Sequence, residues 1–387
     1  MKKPKWMDTT VVGAGATSFL SDMSHEAVSA MLPALLALLG APTYALGIIE
    51  GVSDGASSFA KLLSGYFADK IGKRKEIATA GYVATGFFPA ILALANSWPV
   101  VLLGRVFGWL GRGIRGPPRD AILVSSIQKK DLGKVFGFHR AADTWGAVAG
   151  PVIAFFLLGW FALKEVIWLA VLPGVAAAAI FWAFVNEKKR NVLKTGFAFA
   201  GFNIPKQFKK FTAAVLAFGM ADFSHTMLIA FAIASLSPTF GLEAASAAGI
   251  GLYTIRNAVY ALACFPVGIL GDKFGRKKVL AAGYAAAILM FLGFAFAQPN
   301  MAAYILLFSL AGVVIAVQDT LESAIVGELV PEKERSFGFG ILAAANGVGD
   351  FVSSFVVGII WSVAGFSAGF AFSAVVGTLG LALLLKE

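Results

Sequence analysis

Two short stretches carry the same ionisable pair, Asp22-Met-Ser-His25 and Asp222-Phe-Ser-His225, each inside a long apolar segment. An Asp and a His three residues apart share one face of a helix. Such a pair suits two kinds of chemistry. It can load and release a proton, because a carboxylate in a low-dielectric environment holds its proton more firmly and an imidazole titrates near neutrality. It can also ligate a transition metal, for which imidazole plus carboxylate is an acceptable donor set. Around the first pair, Glu26 and Ser29 extend the stripe to i, i+3, i+4 and i+7, and around the second Ile229 marks the same face. Further polar residues sit in other apolar segments: Glu50 and Asp54 in the second, Arg105 in the fourth, Arg256 and Asn257 beside Tyr253 in the eighth. The fifth holds His139, Arg140 and Asp143, the tenth Gln318, Asp319 and Glu322, and the eleventh Asn346 and Asp350.

An ionised side chain at the centre of a bilayer costs about 2.5–3.5 kcal/mol even on the most lenient scale, so these groups must face an internal, wet path. The chain has the means to enclose one. It is 58% hydrophobic and 14% charged, against about 25% charged for a soluble domain. Apolar stretches of spanning length fall near 9–39, 44–68, 77–95, 98–122, 135–159, 163–185, 211–237, 244–270, 279–297, 300–326, 336–360 and 362–385. The fold class expected is an all-α polytopic membrane protein of twelve transmembrane helices. The net charge of +10 does not point to nucleic acid, because the basic residues sit in short clusters between apolar segments. Those clusters fall on alternate connections, with Lys164 as the exception, and place both termini and the long middle segment in the cytoplasm. The basic start MKKPKW precedes an apolar run that contains Asp22 and Glu26, so it reads as an uncleaved first span. The single cysteine, Cys264, reads as a small core residue.

The chain repeats itself. GYFADKIGKRK at 65–75 matches GILGDKFGRKK at 268–278, and AAD at 141–143 matches AAN at 344–346. Together with the Asp-x-x-His pairs, these matches divide the chain into an N-terminal six-helix unit (1–185), a polar linker (186–210) and a C-terminal six-helix unit (211–387). In the repeated loop, Gly65 allows a neighbouring helix to come close and Asp69 can accept from a helix N-terminus or an Arg. Gly72 permits the turn, and Arg74 stays at the headgroup level. Gly268, Asp272, Gly275 and Arg276 stand in the second copy.

Through this duplicated loop the chain resembles the major facilitator superfamily over nearly its whole length. Arg105 followed by LGRGIRG partly fits that family's fourth-span signature. Gly146-Ala-Val-Ala-Gly150-Pro151 fits the start of the motif seen in its antiporters, although the glycine pair expected next is replaced around Ala154-Phe155. The resemblance implies two pseudo-symmetric six-helix bundles rocking about a central cavity lined by spans 1 and 7, and a monomer. It also implies a cytoplasmic charge network that includes Asp69. Arg112 and Asp143, near the cation-dense RGIRGPPRDA at 112–121, are assigned to the gate with the two loops.

The expected function is secondary active transport of a small solute by alternating access, proton-coupled, with export by antiport and no cofactor. The expected location is the inner cell membrane. Proton coupling is assigned first to Asp22 and Glu26, then to Glu50 and Asp54, with His25, Arg105, Asp222, His225, Arg256 and Asn257 completing the cavity. The alternative is transport of a divalent transition metal or its chelate, with Asp22, His25, Asp222 and His225 as ligands. An enzyme is not expected, as no zincin helix or ATP-binding loop occurs.

Overall fold

The computed structural model describes residues 6–42, 44–188 and 204–386. Among them are fourteen α-helices and no strand: α1 (Thr9–Leu38), α2 (Tyr44–Ile71), α3 (Arg74–Ala93), α4 (Trp98–Ser126), α5 (Leu132–Leu157), α6 (Leu163–Leu169) and α7 (Val171–Phe184) in the first half. In the second half come α8 (Lys206–Gly219), α9 (His225–Phe240), α10 (Leu242–Phe274), α11 (Arg276–Phe296), α12 (Met301–Leu329), α13 (Arg335–Ala364) and α14 (Phe366–Leu385). The pairs α6–α7 and α8–α9 each make one span, so fourteen helices give twelve crossings in two six-helix bundles. Seven spans are long and apolar enough to be recognised by length and composition alone. The other five (α1, α2, α4, α5 and α8–α9) include the spans richest in charge, and they must be shielded by the rest.

Local signals explain most boundaries. Asp8 caps α1 by accepting from the Val11 N–H at 2.8 Å, and Asn300 caps α12 through Ala302 and Ala303. Gly72 (φ 75°) and Gly275 (φ 98°) end α2 and α10 in the left-handed region, as the repeated loop requires. Pro117 in α4 has no N–H for the Gly113 carbonyl, and Ser64 of α2 donates to that carbonyl instead at 3.2 Å. Lys164, the exception to the charge rule, donates to the Ala95 carbonyl just past the end of α3 at 2.7 Å.

Glycines set how closely the helices approach. A Cβ at Gly146 would lie 2.2 Å from the Phe19 carbonyl oxygen, and one at Gly150 would lie 2.3 Å from that of Met23, so α1 rests on the glycine face of α5 within one bundle. The other face of α5 crosses between bundles: a Cβ at Gly137 would meet the Cys264 carbonyl oxygen at 2.4 Å, and one at Gly268 would meet that of Gly133 at 2.1 Å. Its counterpart is α2 against α13, where a Cβ at Gly65 would lie 2.3 Å from the Ser336 oxygen. These inter-bundle contacts fall in the turns nearest the repeated loops. Toward the opposite ends of α2 and α10, a Cβ at Gly51, Gly55 or Gly251 would meet nothing within 4 Å. The bundles are therefore joined on the side of the basic loops and apart on the other.

One expectation changes. Asp222 and His225 do not share a helical face, because span 7 is broken: α8 ends at Gly219 and α9 begins at His225. Ser224 N–H donates to Ser354 Oγ, and Ser353 Oγ donates to the Asp222 carbonyl, so hydroxyls of α13 satisfy backbone groups that a continuous helix would have paired. Near the end of α13, Trp361 packs with Phe223, Phe366 and Phe370 at centroid distances of 4.9–5.6 Å. Cys264 is buried, as expected.

Candidate functional site

The centre of the first bundle is organised by α4. Arg105, Trp109, Arg112 and Arg119 recur at spacings of four, three and seven, which is one face of a helix. At its far end Arg105 donates to Ser29 Oγ at 2.7 Å and to both Glu50 oxygens at 3.0 and 3.3 Å. Its guanidinium lies 3.3 Å from the Trp109 ring centroid. Trp109 Nε1 donates to Asp54 at 2.8 Å, and the indole lies 4.0 Å from the His25 ring. His25 Nδ1 is 3.1 Å from Glu26. Arg112 bridges Asp22 at 3.7 Å and Glu26 at 3.8 Å, while Arg115 donates to Asp22 at 2.9 Å and to Ser21. Asp22 is sealed behind these arginines at 3% exposure, whereas Glu26 and Arg112 remain about a third open (31% and 35%).

One connected network thus gathers Asp22, His25, Glu26, Glu50, Asp54, Arg105 and Arg112. Arg112 is bonded into this network, and Asp143 lies 3.9 Å from Arg140 one helical turn away. The acids of span 2 do not pair with Arg256 of span 8. Glu50 and Asp54 are satisfied within their own bundle, and Arg256 donates to its neighbour Asn257 at 3.0 Å. Ser29 belongs to the stripe that the sequence marks on span 1, whereas Arg115 and Trp109 are not marked there as members of this network. The heptad spacing along α4 was a usable signal for Trp109, but nothing local marks Arg115 as the partner of Asp22.

The second bundle places its acids differently. Asp222, in the break of span 7, accepts from Gln318 Nε2 at 3.0 Å. Glu322 accepts from the Tyr284 hydroxyl at 2.9 Å and from Asn346 Nδ2 at 3.0 Å, and Tyr260 donates to Asp319. All these donors are neutral. The His225 side chain lies outside the described residues.

On the side of the basic loops, the two repeats lock into each other reciprocally. Asp69, fully buried, accepts from Arg74 Nε at 3.0 Å and Nη2 at 2.6 Å, and from the backbone N–H of Phe337 at 2.8 Å in the first turn of α13. Arg74 also donates to Ser336 Oγ and to the Glu332 carbonyl. In the second copy, Asp272 accepts from the N–H groups of Gly133 and Lys134, both at 2.9 Å, in the first turn of α5, and from Arg276 at 2.8 and 3.1 Å. Arg276 reaches Glu328 at 2.7 Å and the Lys129 carbonyl. Each half thus supplies a carboxylate to the positive end of a helix in the other half.

The metal alternative gains no support from this geometry. Asp22 is held by two arginines, which a dication would have to displace, and among the described residues no group of three or more His, Cys, Asp or Glu could hold an ion. Two pentapeptides, Gly51-Val-Ser-Asp-Gly55 and Gly365-Phe-Ser-Ala-Gly369, carry the letters of a nucleophile elbow. The first lies within α2 and the second at the start of α14; neither is the strand-to-helix turn on which such an elbow is built.

Two bundles with reciprocal loop latches and a charged core define a transporter fold. The family model of the Major Facilitator Superfamily matches residues 14–248 and 214–387, and the chain belongs to that family. It is 33% identical over 354 residues to an uncharacterized MFS-type transporter of Methanocaldococcus jannaschii, covering 90% of this chain and 87% of the relative. It is 25% identical over 307 residues to the multidrug resistance protein MdtG of Yersinia enterocolitica, covering 76% of this chain and 72% of that one. Among solved structures it superposes on the E. coli fucose:proton symporter FucP with a TM-score of 0.77 at 14% identity, covering 99% of each chain.

Proposed function

We propose that this major facilitator protein is a proton-coupled secondary transporter that exports a small solute by antiport across the inner cell membrane. Residues 1–185 and 211–387 are its two moving units, joined by 186–210. The observation that carries the reading is the reciprocal pair of latches, each of which must open for the bundles to part on the loop side. The positive-inside rule favours the cytoplasm for the side of the basic loops, and in that orientation the state described here faces outward. Export is supported by the similarity to a multidrug resistance protein.

Charge balance reassigns the proton. Protonating Asp22 would strand Arg115 and weaken the hold on Arg112, which costs more than it gains in a buried site. Glu322 is bonded only to neutral donors and is 4% exposed, so taking up a proton leaves no cation unpaired. Glu322 is therefore the first candidate for the coupling carboxylate, ahead of Asp22. Glu26, one of the two first candidates from sequence, comes second, being open to the cleft and beside His25. The test is solute transport in proteoliposomes under an imposed pH gradient, alongside exchange with no gradient. Glu322→Gln should abolish the gradient-driven component and leave exchange within about threefold of wild type. Loss of gradient-driven transport in Glu26→Gln, with Glu322→Gln unaffected, would place the proton in the first bundle instead.

A further inference from the structure

A cavity of about 170 Å³ lies between the bundles on the side where they touch. Its floor is α4, its walls are α2 and α5, and Phe339 and Ala343 of α13 close it from the other bundle. Five cations line it: Lys61, Arg112, Arg115, Arg119 and Arg140. Two carboxylates share the wall, Asp120 and Asp143, and they are taken by Arg119 at 2.8 Å and Arg140 at 3.9 Å. Behind the wall, Asp22 and Glu26 balance Arg115 and Arg112. Of the five cations, Lys61 alone has no carboxylate within ion-pair distance among the described residues. Its ammonium has no hydrogen bond or ion pair among the described residues, and neither Asp54 nor Asp350 comes within 4 Å of it. A lysine inside a membrane protein is expensive unless something negative meets it.

We propose that this cavity is the binding site for the transported solute, and that the solute is a small organic monoanion whose carboxylate or phosphate oxygens are held by Lys61 with the arginines of α4 and α5. The proposal rests on the transport reading above and names its substrate class. Guanidinium groups already engaged on one edge keep further N–H donors for an oxyanion, and five donors in a fork suit two oxygens at once. A Cβ at Gly116 would meet nothing within 4 Å, which leaves room on α4 for the ligand's body, and Phe339 offers it an apolar contact. The volume is below the range of about 300–1,000 Å³ usual for drug-sized ligands, so the solute is small. Because Phe339 and Ala343 belong to the second bundle, a bound anion touches both moving parts.

The test compares three molecules of one shape and different charge, benzoate, benzyl alcohol and benzylammonium, together with inorganic phosphate. Each is titrated into the purified full-length protein in detergent by calorimetry. Benzoate or phosphate should bind, and benzyl alcohol and benzylammonium should not. Lys61→Met should weaken anion binding by at least about thirtyfold, and Lys61→Arg should restore it. Should Lys61→Met fail to fold, Gly116→Leu, which fills the open space, should block benzoate. Repeating the titration with added phosphatidylglycerol separates the two sources of the oxyanion: competition by the lipid assigns the site to a headgroup and overturns the solute reading. The proposal also fails if benzylammonium binds as tightly as benzoate, if neither anion binds, or if Lys61→Met binds like wild type. Counterflow of labelled benzoate in proteoliposomes keeps the two readings apart. Binding without counterflow rejects transport of this anion and leaves a non-transporting anion site; counterflow of a cation alone rejects the anion class and leaves the transporter standing.

Discussion

Asp69→Asn is expected to reduce turnover by two to three orders of magnitude while leaving solute affinity within a few-fold of wild type. Arg74, 1% exposed, would lose its charge partner while remaining in place, and the first turn of α13 would lose the carboxylate that accepts from Phe337. Removing one member of a buried ion pair costs about 3–5 kcal/mol. That cost falls only on states in which the bundles meet on the loop side. At about 1.4 kcal/mol per tenfold, it shifts the balance of the two access states by roughly a hundredfold to a few thousandfold. Asp69 itself does not line the solute cavity, so the residues that would hold the solute within the closed state are left in place. The measurement is solute exchange in proteoliposomes together with thiol labelling of Ala343→Cys, inside the closed region; the native Cys264 is buried and should stay silent. Labelling should rise in the Asp69→Asn background. A large loss of affinity with normal turnover would assign Asp69 to the binding site instead.

The second large effect is a contrast between two glycines. In Gly268→Ala, the new methyl would sit 2.1 Å from the carbonyl oxygen of Gly133 and 2.6 Å from its carbon, all backbone of the other bundle. Neither helix can yield locally, so the bundles must separate on that side. Each bundle keeps its own packing, and the variant should purify normally yet fail to transport. In Gly146→Ala, the methyl would meet the Phe19 backbone of α1 within the same bundle, at 2.2 Å for the oxygen and 2.9 Å for the carbon. There the strain has no such release, and overpacking of this kind costs about 1–3 kcal/mol or more. That variant should show a lower unfolding temperature and poorer yield. Size-exclusion profiles, thermal unfolding and transport of the two variants side by side decide the matter. Equal destabilisation of both would remove the distinction between the inter-bundle and intra-bundle faces of α5.

How much of this was legible in sequence depends on how local each signal is. Asp69 and Asp272 could be read because a whole loop is written twice, glycines included, and the partners expected for them, an Arg and a helix N-terminus, are those observed. Gly146 and Gly150 stood out for their spacing, and the structure gives that spacing a packing reason. The arginine column was harder. Arg105 and Arg112 are visible in the sequence, but which carboxylate each meets is settled by how α1, α2 and α4 rotate against one another. Lys61 drew no attention, because one lysine in an otherwise moderately polar helix is ordinary until its surroundings are known. The break at Asp222 had no local mark at all: GMADFS contains no proline, and the hydroxyls that permit it, Ser353 and Ser354, lie over a hundred residues downstream.

That break makes the two limbs of the molecule mechanically unlike. Span 1 is one continuous helix from Thr9 to Leu38, its single proline, Pro33, lying in the last two turns, so a tilt is carried along the stretch from Thr9 past Asp22 and Glu26 without a break. Span 7 has a knuckle between Gly219 and His225, pinned to α13 by two serines, so its upper portion can swing while its lower portion stays seated. Ancestral twins have thus diverged into a lever and a jointed finger, and closure from the open face should be led by the finger.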